Sequence, residues 1–370
     1  MRKKSQFSAV LFLSLWGVAL FGVAAECGEK TSPSVPWGPM NQIEASARKE
    51  GKLVIYAAPG HAGQQAQEAL GRRFGEKYGV AIEWTTLSPQ EIGPRILAEH
   101  RTQQNVADLL MQGIGGSFID IKGRGYLVPM LAPSTLQKGV WRLDPARASP
   151  KERDWLYINM PLRPSFFLNT RLLPPGEEPK GYKDLLHPKW KGRIVLQNPS
   201  IGGSGIGWFQ ATYRGLGVDY MKGLAKQVVL VPGVNDVPDA VARGQYPIAI
   251  AATTDRGQQL LAEGAPVKFA QPKEGSHMAG QGIDLLTGAP HPNTAKLFIH
   301  WFYTLEGQLL YAPNQRAISV RKDVSQDYLP PDVRYVEGAP FMVASPEDLS
   351  AERTRELLDL ARKIFIDENK

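Results

Sequence analysis

Short apolar runs alternate along the chain with segments whose apolar positions recur every three or four residues. The run 52–57 is almost continuously apolar, which predicts a buried strand. The segment 64–78 repeats large apolar residues four apart and is followed by Gly79, which predicts a helix with a left-handed stop. Further strands are predicted at 80–85 and 107–111. The first third of the chain therefore alternates strands with helices.

Capping signals refine this pattern. The tetrapeptide 88–91 reads Ser-Pro-Gln-Glu, a capping box with proline at the first helical position, and predicts a helix that runs to about Gln104. Three strand–helix units within about 70 residues predict a parallel sheet with helices on its faces. The apolar runs 155–160 and 165–168 are separated by prolines, which is typical of an extended chain that crosses between domains.

A second set of strands and helices follows. Strands are predicted at 192–196, 228–231, 247–252 and 280–286, and helices at 206–216, at 292–311 and over the C-terminal apolar stripe 357–365. We interpret the strand at 280–286 as a second crossing and the C-terminal stripe as core packing. Two such sets predict an α/β fold.

The first 25 residues differ from the rest of the chain. A basic stretch and then an apolar stretch fill residues 1–25, and Val23-Ala24-Ala25 offers the small residues that a signal peptidase recognises. A membrane anchor is the alternative, since an apolar run of about 18 residues is just long enough to span a bilayer. Lipidation of Cys27 is a weaker alternative, because Glu26 precedes it. We expect a signal peptide, then a spacer over 26–44, and a periplasmic location.

Composition excludes several classes of protein. The 370 residues contain 43 Lys and Arg against 36 Asp and Glu, a net charge of +7. Three of these positive charges lie in the predicted signal peptide, and the modest remainder does not predict a nucleic-acid partner. The single cysteine excludes an internal disulfide and a site built from several thiolates.

One glycine-rich turn carries candidate chemistry. Gly202-Gly203-Ser204-Gly205 lies between a predicted strand and a predicted helix, but Ile206 stands where a nucleophile elbow requires glycine. The sequence also contains no Walker loop and no zinc-protease motif. We therefore expect no enzyme activity, no cofactor and no metal. The exposed backbone N–H groups of such a turn suit an anion; alternatively, the turn was selected for its backbone conformation alone.

Several short motifs resemble those of a known family and occur in the family's order over most of residues 50–325. They lie at 74–80, 167–170, 190–194, 200–205, 241–250, 288–296 and 306–308. Together they resemble the family 1 extracellular solute-binding proteins of ABC importers, a group that includes the ferric-ion-binding proteins. The resemblance implies a two-lobe periplasmic-binding-protein architecture with crossing hinge strands, a C-terminal helix and a ligand in the cleft.

The resemblance also implies boundaries and partners. Lobe 1 is expected over 45–162 with part of 284–325, and lobe 2 over 163–283 with part of 326–370. A monomer is expected, whose partners are a small-molecule solute and the membrane permease with its ATPase, and not nucleic acid.

Candidate ligand-binding residues follow from the same resemblance. The ferric members hold iron with a histidine after the first strand, a glutamate after the third and a tyrosine pair after a later strand. Here these places hold His61, then Gln112 and Gly113, then Thr253 and Thr254. Because ferric ion requires anionic oxygen ligands, this departure argues against iron.

The anion contacts of those relatives fall on Gly203, Ser204, Gly205 and Asn235 in this sequence. Arg163 precedes the crossing run 165–168, where a guanidinium suits a carboxylate or phosphate in the cleft or, alternatively, a salt bridge in the hinge.

We therefore predict a periplasmic solute-binding protein that captures a small anionic organic solute by lobe closure. Three alternatives remain open. One is a ferric-iron-binding variant, and another is a cationic or neutral ligand, for which Asp255 and Asp236 are the candidate carboxylates. The third is a secreted hydrolase, which requires a Ser–His pair in the cleft. Asp255 is a further candidate ligand-binding residue or, alternatively, the cap of the helix that follows it.

Overall fold

The computed structural model describes residues 37–368 apart from 114–115, 148, 161, 164, 202–203, 279, 345–347 and 349–350. The predicted signal peptide and most of the predicted spacer lie outside the described residues. Within the part that is described, no helix has the length and apolar character needed to cross a membrane.

Helices and short strands alternate over most of the described chain, which confirms the predicted α/β class. The α-helices are α1 (Met40–Glu50), α2 (Gln64–Tyr78), α3 (Pro89–Thr102), α4 (Gly116–Gly123), α5 (Ser204–Leu216), α6 (Val218–Ala225), α7 (Asp236–Ala242), α8 (Thr254–Ala262), α9 (Pro292–Phe302), α10 (Leu305–Gln315) and α11 (Ala351–Arg362). The strands are β1 (Lys52–Ala57), β2 (Ala81–Thr86), β3 (Leu109–Gln112), β4 (Leu127–Val128), β5 (Leu156–Tyr157), β6 (Leu162–Arg163), β7 (Phe166–Asn169), β8 (Ile194–Gln197), β9 (Val228–Val231), β10 (Ile248–Ile250), β11 (Val267–Ala270), β12 (Ser276–Met278), β13 (Gly282–Leu286) and β14 (Phe341–Val343).

The first sheet forms the centre of lobe 1. Its order is β2-β1-β3-β13-β4, and β5 also pairs with β13. β1 runs parallel to β2 and β3, whereas β13 is antiparallel to β3. As predicted, α2 ends at Gly79 with φ 70° and α3 begins with a capping box between Ser88 and Glu91. Because parallel strands end at the same edge of a sheet, the loops after β1 and β3 lie side by side.

The second sheet forms the centre of lobe 2. Its order is β11-β7-β10-β8-β9, with β8, β9 and β10 parallel and β7 antiparallel to β10. Phe166 and Leu196 from this sheet share one buried cluster with Leu357, Ile364 and Phe365 from the C-terminal segment. The predicted core packing of the C-terminal stripe is thus confirmed.

A third, small sheet of order β14-β12-β6 joins the lobes. The chain leaves the first sheet at β5, passes through β6 and enters the second sheet at β7, which confirms the first predicted crossing. It returns from β11 through β12 to β13. The prediction placed this return at 280–286, but β13 pairs within the first sheet, and β12 makes the crossing by pairing with β6.

The prediction of a single helix at 292–311 is wrong. The chain breaks between α9 and α10, where Thr304 caps α10 and its Oγ1 accepts a hydrogen bond from the backbone nitrogen of Gly307 at 3.3 Å. A Cβ on Gly307 would lie 2.5 Å from the carbonyl oxygen of Trp301, so only glycine permits this close turn. The apolar spacing continues through the break, and for that reason the pattern alone predicted one helix.

Candidate ligand-binding cleft

A cavity of about 110 Å³ lies between the two lobes. Its polar lining comes from both sides: Gly60, Asn159, Gln281, Gln315 and Arg316 from lobe 1, and Thr253, Thr254, Asp255 and Gln258 from lobe 2. Apolar residues, among them Met160 and Ile318, complete the wall. A mainly polar cavity that both lobes line is suited to a small hydrophilic ligand.

The lobe 2 wall begins where β10 ends. Ala251 has φ 58°, a left-handed turn that leads into the first residues of α8. Thr253 is the N-cap of α8, and its Oγ1 donates to Oδ1 of Asn235 at 3.4 Å. The structure therefore brings together four predicted residues, Asn235, Thr253, Thr254 and Asp255. Asp255 is the second residue of α8 rather than its cap, so the alternative role proposed for it does not apply.

The lobe 1 wall contains a hydrogen-bonded chain of side chains. Nδ2 of Asn159 donates to Oε1 of Gln281 at 2.8 Å and to the Tyr311 hydroxyl at 3.2 Å. The Tyr311 hydroxyl in turn donates to the main-chain oxygen of His61 at 2.6 Å. Burial, followed by the nearby carboxylate of Asp255, raises the pKa of Tyr311 well above its usual value. This phenol therefore stays protonated and holds Asn159 against the cavity.

His61 and Gly113 are neighbours, as the resemblance implies. His61 is only 9% exposed, and its Nδ1 lies 3.3 Å from the main-chain oxygen of Pro59. A Cβ on Gly113 would stand 3.9 Å from Nε2 of His61 and 3.0 Å from the carbonyl oxygen of Gly280. Neither His61 nor Gly113 is among the described residues that line the cavity.

Gln112 has a different role from the predicted one. Its Nε2 donates to Oδ2 of Asp284 at 2.6 Å, and its Oε1 accepts from the Ser117 hydroxyl at 3.2 Å. Asp284 is fully buried, and burial raises its pKa well above the usual value. The Gln112 amide is thus engaged in a buried hydrogen-bond network, and Gln112 is not among the described residues that line the cavity.

The glycine-rich turn is closed by a residue that the sequence did not single out. Oε1 of Gln197 accepts hydrogen bonds from the Ser204 hydroxyl at 3.1 Å and from the Gly205 backbone nitrogen at 2.9 Å. These are two of the donors predicted for an anion, and Gln197 already uses them. Gly202 and Gly203 lie outside the described residues.

Arg163 lies in β6, opposite His277 of β12, and its side chain is outside the described part of the structure. His277 belongs to a Ser–His pair, because its Nδ1 is 3.2 Å from the hydroxyl oxygen of Ser165. Both residues are almost fully buried in the hinge, and neither is among the described residues that line the cavity. The pair therefore does not supply the cleft nucleophile that a hydrolase requires.

Four residues of the lobe 1 wall were missed by the sequence analysis. Asn159 and Gln281 lie in segments interpreted only as crossing strands, and Gln315 and Arg316 lie beyond residue 311, where the predicted helix ended. Three of these residues are amides and the fourth is an arginine, and none of them belongs to a motif that predicts a binding site. Among the described residues no group of three or more His, Cys, Asp or Glu side chains is arranged to hold a metal ion.

Comparison with known proteins identifies the family. The family model described as bacterial extracellular solute-binding protein matches residues 69–335. The chain belongs to this family. Members of this extracellular solute-binding family bind solutes and are not enzymes, and the ABC-importer type to which this chain belongs delivers its ligand to a permease.

Individual relatives of this solute-binding protein include an uncharacterized protein of Haemophilus influenzae, 28% identical over 281 residues, which are 72% of this chain and 77% of the relative. Iron uptake protein A1 of Synechocystis is 27% identical over 156 residues, 37% of this chain and 42% of that protein. Among solved structures, iron-bound HitA of Pseudomonas aeruginosa matches with a TM-score of 0.66 at 20% identity, covering 85% of this chain and 99% of HitA. AfuA of Actinobacillus pleuropneumoniae with bound fructose-6-phosphate matches with a TM-score of 0.63 at 21% identity, and the match covers 85% of this chain and 98% of AfuA. These matches establish the two-lobe fold.

Proposed function

We propose that this protein captures a small anionic organic solute in the periplasm and delivers it to the permease and ATPase of an ABC importer. The observation that carries the proposal is the cavity between the lobes, which is lined by polar side chains from both. Residues 1–25 serve as the export signal in this proposal, and the mature protein acts as a monomer.

Lobe closure follows from the position of the cavity. A solute there contacts α8 of lobe 2 and the end of α10 of lobe 1 at the same time. Because only the closed arrangement offers both sets of contacts, binding energy favours closure. The small hinge sheet of β6, β12 and β14 is the element expected to bend.

Three features support an anionic group on the solute. Arg316 lines the cavity, and its guanidinium forms no hydrogen bond or ion pair within the described part of the structure. Thr253 and Thr254 add hydroxyl groups at the start of α8. The Thr253 side chain does not cap that helix, which leaves the positive end of the helix dipole at the cavity.

The test is a titration of the purified mature protein with organic carboxylates and phosphates, followed by tryptophan fluorescence and by calorimetry. We expect saturable binding of at least one anion. Binding only of cations or metal ions would contradict the proposal.

A ferric-binding variant is the second candidate, because iron-bound HitA and Iron uptake protein A1 are among the similar proteins. The cavity favours the organic solute instead. Thr253 and Thr254 occupy the places of the ferric tyrosine pair, and Asp255 is the one carboxylate among the described lining residues. Iron with carbonate or citrate should therefore give no coloured complex, and a visible charge-transfer band after gel filtration would favour iron.

A further inference from the structure

The charged residues of the cavity are balanced rather than uniformly basic. Among the described lining residues the charged ones are Asp255 from lobe 2 and Arg316 from lobe 1. Neither side chain forms an ion pair or a hydrogen bond within the described part of the chain. A solute that carries only negative charge would satisfy Arg316 but would bring a like charge close to the Asp255 carboxylate.

The lobe 1 wall adds a second acceptor. Asn159 is only 1% exposed, and its two amide hydrogens are directed to Gln281 and to the Tyr311 hydroxyl. Its Oδ1 is buried and has no hydrogen-bond partner among the described residues. A buried carbonyl without a donor is costly, so this atom is a site at which a ligand donor is expected.

These acceptors line one cavity, since Asn159, Thr254 and Asp255 are all among its described lining residues. The charge of the Asp255 carboxylate also adds to burial in raising the pKa of the Tyr311 hydroxyl. The same hydroxyl accepts the Asn159 amide hydrogen at 3.2 Å. Thr254, next to Asp255, contributes a further buried hydroxyl oxygen without a partner in the described structure.

We propose that the solute is amphoteric: an ammonium group binds between the Asp255 carboxylate and Oδ1 of Asn159, and an anionic group binds Arg316. This inference rests on the proposed function and narrows its substrate class. A protonated amine brings three N–H donors and a positive charge to a set of acceptors that includes one carboxylate. A hydroxyl brings one donor and no charge, and an alkyl group brings neither.

Matched probes test the inference. Calorimetry compares O-phosphoethanolamine, 2-hydroxyethyl phosphate and ethyl phosphate, and in parallel β-alanine, 3-hydroxypropionate and propionate. Within the series that binds, we expect the amine to bind at least about tenfold more tightly than the hydroxyl and alkyl probes. Equal affinity across a series would overturn this inference and leave the proposed anion-binding function intact. Binding by none of the six probes would overturn both.

Two variants connect the preference to the named atoms. Asp255→Asn removes the carboxylate and should abolish the preference for the amine, whereas Glu263→Gln, an exposed change just after the end of the same helix, should retain it. Asn159→Ala should lower the affinity for the amine probe more than the affinity for the alkyl probe. A purely structural effect of either site variant would lower the affinities of all three probes by the same factor, and that result would contradict the assignment.

Discussion

The amide oxygen of Gln197 accepts a hydrogen bond from the backbone nitrogen of Gly205 at 2.9 Å. The main chain of Gln197 is also close to Gly205, because a Cβ on Gly205 would stand 2.4 Å from the Gln197 carbonyl oxygen. The first turn of α5 is therefore seated directly on the end of β8. Close backbone packing therefore explains why residue 205 is a glycine, and the explanation requires no bound ligand.

Two glycines of α5 should respond oppositely to alanine. Gly205→Ala forces a methyl group into the Gln197 main chain, and we expect a loss of about 2 kcal/mol in the free energy of unfolding. At Gly207 a Cβ would meet no atom within 4 Å, so Gly207→Ala should stabilise the protein by about 0.5–1 kcal/mol through helix propensity. Urea unfolding measures both. Equal effects would show that α5 does not sit as closely on β8 as described.

The C-terminal segment is held to lobe 2 by a buried carboxylate. Asp348 is fully buried and accepts from Nε of Arg214 at 2.6 Å, from Nε of Arg353 at 3.3 Å and from the Tyr213 hydroxyl at 3.2 Å. Asp348→Asn weakens these charge-assisted bonds and should cost about 2 kcal/mol of unfolding free energy. Glu356→Gln, which breaks only an exposed pair with Arg353, should cost less than about 0.5 kcal/mol. Comparable losses would contradict this account.

One ion-pair cluster makes stability depend on pH. Burial raises the pKa of Glu306, but hydrogen bonds from Lys77, Arg73 and Trp301 outweigh this effect and hold the pKa at about 2. A pKa that folding lowers contributes stability above the unfolded value, and this contribution is lost as the pH falls from 4.5 towards 2.

The matching variant is Glu306→Gln. Because the ion pairs of Glu306 are partly exposed to solvent, we expect the variant to lose only about 1 kcal/mol of unfolding free energy at pH 7. The difference in unfolding free energy between the variant and the parent protein should shrink as the pH is lowered from 4.5 to 2. Unfolding curves at several pH values measure this, with Glu76→Gln, an exposed neighbour 3.7 Å from Arg73, as the control. A difference that stays constant with pH would contradict the assignment.

Much of the fold was predictable because its signals are local. The buried run of β1, the glycine stop of α2 and the capping box of α3 each depend on a few adjacent residues. The break before α10 was not predictable in this way. It depends on Gly307 approaching the main chain of Trp301, and apolar spacing contains no information about such an approach.

In the candidate site, too, residues with local sequence signals were predicted and residues placed by non-local packing were not. Thr253, Thr254 and Asp255 follow a strand whose end the apolar pattern locates, and the structure places all three at the cavity. Asn159 and Arg316 come from segments far apart in the sequence, and only the three-dimensional packing of lobe 1 brings both to the cavity. Ser204 and Gly205 were predicted as anion donors because the sequence does not reveal that Gln197 reaches them first.

Arg316 offers a direct test of the cleft. It follows α10 in a left-handed conformation with φ 51°, and its place in the lining predicts that it binds the anionic group of the solute. Arg316→Gln removes the charge and shortens the side chain but keeps an N–H donor. We expect a loss of about tenfold or more in affinity, because a charge-assisted pair becomes a neutral hydrogen bond.

The control for this prediction is Arg101→Gln, which removes the same charge from the last turn of α3, outside the cavity. Both variants lower the net charge equally, so a general electrostatic attraction of anions would weaken equally in both. A specific contact with the anion weakens only with Arg316→Gln, because Arg316 lines the cavity and Arg101 is not among the described lining residues. Titration of the best-binding anion with both variants separates the two cases, and equal losses in both variants would place the anion elsewhere in the cleft.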